Sequence, residues 1–118
     1  MARVLLVDDE PVVRNCLEQF LKYGGYEVLA VEGGAQAFLV LGNRDPFSLV
    51  ITDFEMPAMN GPDLIKIIRE AHFKMPIIMV TARPDAVPEK HGADVVLEKP
   101  IGLVAFLKAV DEVLKSKD

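Results

Sequence analysis

Cysteine and long apolar runs are scarce in this 118-residue sequence. The single cysteine, Cys16, excludes an internal disulfide framework and favours a reducing compartment. It lies on the apolar face of the first predicted helix, where we expect a small core residue. No apolar run approaches the roughly 18–20 residues needed to span a bilayer, so we expect no membrane partner. Asp8, Asp9 and Glu10 fall where a secretory signal would be apolar, and we expect a cytoplasmic protein.

Basic residues are outnumbered by acidic ones. The chain carries 13 Lys and Arg against 18 Asp and Glu, for a net charge of −5, and it shows no basic stripe. This balance argues against direct nucleic-acid binding, because phosphate backbones are bound by clustered cations. With 51% hydrophobic and 26% charged residues, the composition is that of a globular protein. We expect residues 1–118 to form a single domain, since this is an ordinary domain length.

Five short runs of branched apolar residues predict strands that are buried on both faces of a parallel sheet. They are residues 4–7, 28–31, 49–52, 77–80 and 95–97. The segments that follow them carry apolar residues at the i, i+3, i+4 spacing of amphipathic helices. Strict alternation of strand and helix predicts a doubly wound α/β fold with right-handed crossovers. For this length we expect the flavodoxin-like (βα)5 arrangement, with strand order 2-1-3-4-5 and five helices.

The segment 81–100, TARPDAVPEKHGADVVLEKP, leaves little room for the fourth of these helices. Pro88 would interrupt a helix that began at Pro84, because proline has no N–H to donate. It is tolerated at the third position of a helix that is capped by Asp85. We therefore predict a shortened fourth helix, at about residues 86–91, ended by the glycine that follows.

Polar side chains follow four of the five predicted strands at their carboxyl ends. Asp8 and Asp9 follow the first strand, Asp53 the third, Thr81 the fourth and Lys99 the fifth. In open α/β sheets, ligands bind in the crevice beyond these strand ends. A lone Asp after a strand is commonly a turn residue or a helix cap, but the whole set at one edge is hard to obtain by chance. We interpret the set as one functional site.

Three converging carboxylates repel one another, and a divalent cation removes that conflict. Because no His or Cys lies among them, the oxygen ligands suit Mg²⁺, or Mn²⁺, rather than Zn²⁺. A bound Mg²⁺ can also accept oxygens of a phosphoryl group, to which Lys99 adds a positive charge and Thr81 a hydrogen bond. The set predicts a phosphoryl-transfer site with a carboxylate acceptor.

Four motifs resemble those of the response-regulator receiver family, the receiving half of two-component phosphorelays. They are VLLVDDEP, VITDFEMPAMNG, IIMVTA and VVLEKP, in this order over nearly the whole chain. The resemblance implies that Asp53 accepts a phosphoryl group from a phosphohistidine. It also implies that Lys99 pairs with the phosphoryl oxygens and that Thr81 moves toward them.

The same resemblance implies the metal ligands and the partners. Asp9 would bind Mg²⁺ directly and Asp8 mainly through water, with Asp53 and the backbone carbonyl of Glu55 completing the set. The donor would be a sensor histidine kinase or a phosphotransfer protein, and an output domain or downstream partner would read the switch. Such a domain modifies itself and slowly reverses the change, so we expect no enzyme with external turnover.

The sequence departs from the family at positions that concern output. Val96 stands where the family usually carries Phe or Tyr, and Ile101 where it often carries Phe. Without that ring, we expect the signal to pass through a rearranged fourth-helix surface or through the first and fifth helices. Glu55 and Arg83 stand two residues beyond the acceptor and two beyond the threonine, and we hypothesise that they form an ion pair over the site.

Three other functions share parts of this pattern. A haloacid-dehalogenase-like phosphatase also combines an Asp nucleophile, a later acid, a Thr and a Lys, but it needs an acidic pair where this chain has TARP. A flavodoxin needs hydroxyl and N–H donors after the first strand, where DDEP would repel the flavin phosphate. A degenerate receiver used only for docking would not need the complete set of site residues.

Overall fold

The structure, a computed structural model, describes residues 2–42 and 46–116. Strands and helices alternate as predicted, except between the last two strands. The strands are β1 (Arg3–Val7), β2 (Glu27–Val31), β3 (Leu49–Asp53), β4 (Ile77–Thr81) and β5 (Val95–Glu98). The helices are α1 (Pro11–Tyr23), α2 (Gly34–Leu41), α3 (Gly61–Glu70) and α4 (Leu103–Lys115).

The five strands form one parallel sheet in the order β2-β1-β3-β4-β5, which confirms the predicted flavodoxin-like order. In its register, Asp53 pairs with Val80 and Thr81 pairs with Glu98. The carboxyl ends of the strands therefore meet at the same edge. The strand order reverses between β1 and β3, and this reversal opens a crevice at that edge.

The core forms two layers, one on each face of the sheet. Because successive strand residues point to opposite faces, Leu5 and Val7 pack with α2 and α3, while Val4 and Leu6 pack with α1 and α4. The central strands β1, β3 and β4 are buried along almost their whole length. Each fully buried Leu or Val stabilises the fold by about 1.5–3 kcal/mol, so these layers hold the strand ends firmly in place.

Local signals set the start of the two helices that begin beside the crevice. Pro11 opens α1 and Pro62 lies in the first turn of α3, where a missing N–H costs no helical hydrogen bond. The side-chain oxygen of Asn60 accepts a hydrogen bond from the N–H of Asp63 at 2.9 Å and caps α3. The loop from β1 to α1 spans residues 8–10, and the loop from β3 to α3 spans residues 54–60.

The predicted fourth helix at residues 86–91 is wrong. A single 3₁₀ turn, Pro84–Ala86, follows β4, so the described residues hold four α-helices instead of five. Val87 leaves the turn in an extended conformation, with φ −73° and ψ 128°. The ring of Pro88 disfavours helical geometry in the residue before it, and Asp85 lies inside the turn rather than capping a helix.

No helix in the described part of the chain is long and apolar enough to cross a membrane.

The expectation for Cys16 is also wrong, because its side chain is exposed. The buried face of α1 carries Leu17 and Leu21 instead. Neighbouring residues of an α-helix are turned by roughly 100° about its axis, which places Cys16 at the margin of that face. The apolar spacing in the sequence does not separate the centre of a helix face from its margin.

Candidate functional site

Four of the predicted site residues meet at the carboxyl edge of the sheet. Asp8 directly follows β1, Asp53 ends β3, Thr81 ends β4 and Lys99 directly follows β5. Asp8, Asp53 and Thr81 are 0%, 4% and 2% exposed. Carboxylates are seldom buried this deeply unless a charge or a metal compensates them.

Lys99 supplies the compensating charge. Its Nζ lies 3.0 Å from Oδ1 of Asp53 and 3.2 Å from Oδ2 of Asp8. Its backbone N–H donates to the carbonyl oxygen of Thr81 at 2.8 Å, which fixes the start of the side chain at the crevice. Oε1 of Glu10 lies 4.0 Å from the same Nζ. One ammonium group therefore faces three carboxylates, and the site keeps a surplus of negative charge.

This arrangement shifts the pKa of both partners. Burial, helped by the negative charge of Asp8, raises the pKa of Asp53 to about 6, although the hydrogen bond from Lys99 acts in the opposite direction. Burial alone would lower the pKa of Lys99, but its contacts with Asp53 and Asp8 outweigh burial and raise that pKa. An ion pair by itself would lower the pKa of Asp53, but here a second carboxylate shares the same ammonium. At neutral pH, Asp53 is mostly ionised and Lys99 is protonated.

The same carboxylates could hold a metal ion. One oxygen each from Asp8, Glu10 and Asp53 lies within 4.8 Å of the other two. Oδ1 of Asp9 is buried and has no hydrogen-bond partner within residues 2–42 and 46–116. A partnerless buried acceptor and a surplus of negative charge both fit a cation, and the all-oxygen donor set fits a hard one.

Glu10 is the member of this group that was not predicted from the sequence. Its N–H donates to Oδ1 of Asp8 at 2.9 Å, so the chain turns back over the site. The third consecutive acid in DDEP was the available signal. Asp9, the predicted direct ligand, lies outside the three-oxygen group. Its role as a ligand stays a prediction, as does that of the backbone carbonyl of Glu55.

The loop after β3 packs closely against Asp53, the predicted acceptor. The N–H of Gly61 donates to the carbonyl oxygen of Phe54 at 2.8 Å. A Cβ atom at position 61 would lie 2.6 Å from the backbone oxygen of Asp53 and 2.9 Å from Sδ of Met79. Only glycine permits so close an approach, so Gly61 lets the start of α3 pack directly against the end of β3.

Arg83 links the two rims of the crevice. Its backbone N–H donates to Oγ1 of Thr81 at 2.9 Å and ties this buried hydroxyl to the 3₁₀ turn. Its Nε and Nη2 atoms lie 2.7 Å and 2.6 Å from Oε1 of Glu55, which confirms the predicted ion pair. The pair lines a cleft of about 260 Å³ together with Asp53, Thr81 and Lys99.

The segment between β4 and β5 is more exposed than the site it borders. Residues 82–86 are all exposed, and the first side chain to reach the core is Val87. Val96, at the position where the sequence resemblance implies an aromatic ring, is partly buried against the same core layer. The carboxylate of Asp94 ends the segment by accepting a hydrogen bond from the N–H of Ile77 at 2.7 Å.

An apolar groove of about 420 Å³ adjoins the site between α1 and the loop after β5. Glu10 and Lys99 lie where the groove meets the site. The remaining lining is largely apolar: Val12, Val13, Cys16, Leu17, Ala82, Pro100 and Ile101. Such a groove offers a surface for an apolar partner within reach of the buried charges.

Comparison with known proteins points to one family. A family model described as the response regulator receiver domain matches residues 4–111. The transcriptional regulatory protein GlrR of Escherichia coli is 38% identical over 118 residues, a match that covers 97% of this chain and 26% of GlrR. CpxR of the same species is 35% identical over 117 residues, covering 93% of this chain and 49% of CpxR. The chain thus spans about a quarter to a half of the length of these curated relatives.

A solved structure gives the same result for the fold. The response regulator protein TrrA of Thermotoga maritima, in complex with Mg(2+)-BeF, is 32% identical to this chain with a TM-score of 0.84. The match covers 96% of this chain and 99% of TrrA. The likeness therefore extends over the sheet, its helices and the crevice edge.

Proposed function

The chain belongs to the response regulator receiver family of two-component systems, and on that premise we propose that Asp53 is its phosphoryl acceptor. The proposed donor is a phosphohistidine on a sensor histidine kinase or a phosphotransfer protein. Phosphorylation then switches the contacts of the domain with an output domain or a downstream partner. The proposal extends to residues 1–118 as one receiver domain in the cytoplasm.

The contact between Lys99 and Asp53 carries this proposal. Asp53 is buried, and the ammonium group of Lys99, 3.0 Å from its Oδ1, compensates its charge. The same aspartate also lines the cleft. A turn or cap aspartate needs neither the burial nor the cation. A phosphoryl group on Asp53 would lie in that cleft, within reach of Lys99 and of the Thr81 hydroxyl.

In the proposed step, an ionised oxygen of Asp53 attacks the phosphorus of the phosphohistidine. The O–P bond forms while the P–N bond breaks, and the electron pair of the broken bond leaves on the imidazole nitrogen. Lys99 offsets the negative charge on the phosphoryl oxygens, and Thr81 donates a hydrogen bond to one of them. Water later hydrolyses the acyl phosphate, so the domain modifies itself instead of turning over an external substrate.

Mg²⁺ is the proposed metal, and Mn²⁺ is its closest substitute. Asp8, Asp9, Asp53 and the backbone carbonyl of Glu55 would hold it, and Glu10 offers a further carboxylate. When bound, the cation neutralises and orients the phosphoryl oxygens. The oxygen-only donors and the partnerless Oδ1 of Asp9 support this assignment. The similar TrrA structure is a complex with Mg(2+)-BeF.

The apolar groove beside α1 is the proposed docking surface for the donor. Val12 on its rim is 82% exposed, although it is a large apolar side chain. Exposed apolar side chains that cluster around a groove are suited to protein contacts. Because the groove ends at Lys99, a donor seated in it can present its phosphohistidine to the cleft.

The proposal is tested by the intact mass of the protein after incubation with acetyl phosphate and Mg²⁺. The wild-type chain is expected to gain one phosphoryl mass, and the Asp53→Asn variant none. Asp63→Asn, at an exposed aspartate on α3, is the matched control and should behave as wild type. The absence of any gain in the wild type, or an equal gain in Asp53→Asn, would refute the assignment.

A further inference from the structure

We infer that Arg83 changes partner when Asp53 is phosphorylated, leaving the carboxylate of Glu55 for the phosphoryl oxygens and carrying the 3₁₀ turn with it. The inference rests on the proposed phosphorylation of Asp53. It makes Arg83 the relay residue of a domain that has Val96, and no ring, at the usual aromatic position.

Arg83 is attached to the site at two points. Its backbone N–H donates to Oγ1 of Thr81, a side chain that is 2% exposed and therefore has little freedom of its own. Its guanidinium group donates a hydrogen bond through Nε to Oε1 of Glu55, and Nη2 forms an ion pair with the same oxygen. A displacement of the Thr81 hydroxyl toward Asp53 would therefore pull on the main chain of Arg83. The side chain of Arg83, in contrast, is held by the exposed carboxylate of Glu55.

The outer attachment is the weaker one. The side chains of Arg83 and Glu55 are 63% and 57% exposed, and ion pairs this exposed to water contribute little. A phosphoryl group carries about two negative charges and three acceptor oxygens, against one charge on Glu55, and guanidinium binds such oxygens in pairs. Arg83 and Lys99 are the two cations that line the cleft within the described residues. Lys99 already contacts Asp53 and Asp8 and needs no change of partner to face a phosphoryl group on Asp53, whereas Arg83 is held by an exposed carboxylate that it can leave.

Arg83 is also the first residue of the segment that would respond. Its carbonyl oxygen accepts the N–H of Ala86 at 3.0 Å, and the carbonyl oxygen of Pro84 accepts the N–H of Val87 at 3.3 Å. These two bonds form the 3₁₀ turn, so the turn follows the main chain of Arg83. Val87 then reaches the core layer that contains Val96. A shift of Arg83 is thereby transmitted to the surface that replaces the missing helix.

The test is an NMR titration of the ¹⁵N-labelled chain in Mg²⁺, with beryllofluoride as the stand-in for the phosphoryl group. In the wild type, the Nε–H resonance of Arg83 and the amides of residues 84–94 are expected to shift. In Arg83→Ala at saturating beryllofluoride, amides beside Asp53 and Lys99 should still shift, while those of residues 84–94 shift less than half as far. Arg83→Lys should restore part of the response. Lys90→Ala, at an exposed cation in the same segment, is the control and should match the wild type.

Glu55→Gln separates partner exchange from a static ion pair. Exchange predicts that loading with beryllofluoride brings the Arg83 Nε–H resonance of this variant to the same position as in the loaded wild type, because Arg83 has left Glu55 in both. A static pair predicts that the resonance does not respond to loading in the wild type and that the loaded positions of wild type and variant differ. Glu89→Gln, which changes an exposed acid in the same segment, is the matched control.

The outcomes distinguish the relay from the function beneath it. Equal shifts of residues 84–94 in the wild type and in Arg83→Ala would overturn the relay and leave the phosphoryl-acceptor assignment intact. The absence of any shift near Asp53 in the wild type would overturn the acceptor assignment, and the relay with it.

Discussion

The two halves of the crevice are built in opposite ways. One half contains the proposed acceptor and is called the acceptor half: its Asp8 and Asp53 are buried, its Lys99 is partly buried, and the ammonium group holds both carboxylates. The other half, residues 82–94, is proposed to report phosphorylation and is called the reporting half: it is mostly exposed and is anchored near its ends, by Arg83 and by Asp94. Phosphoryl transfer needs atoms at fixed distances, whereas a switch surface needs a low cost of rearrangement. The difference explains how one half can match its family closely while the other loses a helix.

Substitution of Lys99 should have the largest effect, because it removes the only cation of the acceptor half. We expect Lys99→Met to lower the phosphorylation rate with acetyl phosphate by about a hundredfold, the usual loss when one charge-stabilising contact to a transition state is removed. Lys90→Met, in the reporting half, should leave the rate unchanged. Phosphorylation would be followed by intact mass over time. If the rate of Lys99→Met were within threefold of the wild-type rate, the claim that the acceptor half depends on Lys99 would be contradicted.

The pH dependence of stability tests whether the acceptor half is strained by its own charge. The pKa of Asp53 is raised from 3.8 to about 6 in the folded state, so the folded protein binds this proton more tightly than the unfolded chain does. The free energy of unfolding should therefore fall as pH rises between about 4 and 6, by on the order of 2–3 kcal/mol from this group.

The Asp53→Asn variant isolates that contribution. It should lose less stability than the wild type between pH 4 and pH 7 in urea unfolding with EDTA present, while Asp63→Asn should follow the wild type. The difference between Asp53→Asn and wild type should be fully developed above pH 6, where Asp53 is ionised in both states. Parallel profiles for wild type and Asp53→Asn would show that the carboxylates impose no cost on the fold.

Two glycines compare the rigidity of the halves directly. Gly61→Ala places a Cβ 2.6 Å from the backbone of Asp53, and we expect it to lower the free energy of unfolding by about 2–3 kcal/mol. Gly92→Ala places a Cβ 2.9 Å from Cγ2 of Ile65 at a φ of +87°, and we expect a loss of about 1–2 kcal/mol, the usual cost of a left-handed backbone for a residue with a Cβ. Gly42→Ala, with only an ordinary contact, is the control. Equal losses for Gly61 and Gly92 would contradict the comparison.

The Glu55–Arg83 pair should have the smallest effect on stability. Both side chains are more than half exposed, so we expect Glu55→Gln and Arg83→Ala each to change the free energy of unfolding by less than about 1 kcal/mol. Urea unfolding of both variants checks this. A loss well above that value would mean that the reporting half is anchored as firmly as the acceptor half.

The fold and four of the residues at the crevice edge could be predicted from the sequence for one reason. Branched apolar runs mark strands that are buried on both faces, and the residue that follows each run is then fixed at the carboxyl edge. Asp8, Asp53, Thr81 and Lys99 were predicted in this way, and the structure places all four there. Glu10 was not predicted as a site residue. A turn after β1 brings it to the site, and the spacing of apolar residues does not reveal such a turn.

The reporting half was predicted less well because its structure depends on local conformation rather than on burial. The prediction of a helix at residues 86–91 took account of the missing N–H of Pro88. It did not take account of the ring of Pro88, which disfavours helical geometry at Val87, and Val87 is extended. Cys16 was placed in the core from helical spacing alone, although it lies at the margin of the buried face. The Glu55–Arg83 pair was predicted correctly, because the two residues carry opposite charges and were assigned to a shared rim of the site.

The central claim is that the acyl phosphate forms on Asp53. Borohydride reduces an aspartyl phosphate to homoserine, so brief reduction after acetyl phosphate and Mg²⁺, followed by peptide mass mapping, identifies the modified position. The account predicts homoserine at position 53 and at no other carboxylate of the site. Homoserine at Asp8 or Asp9, the corresponding reduction product 5-hydroxynorvaline at Glu55, or reduction at none of these positions, would contradict it.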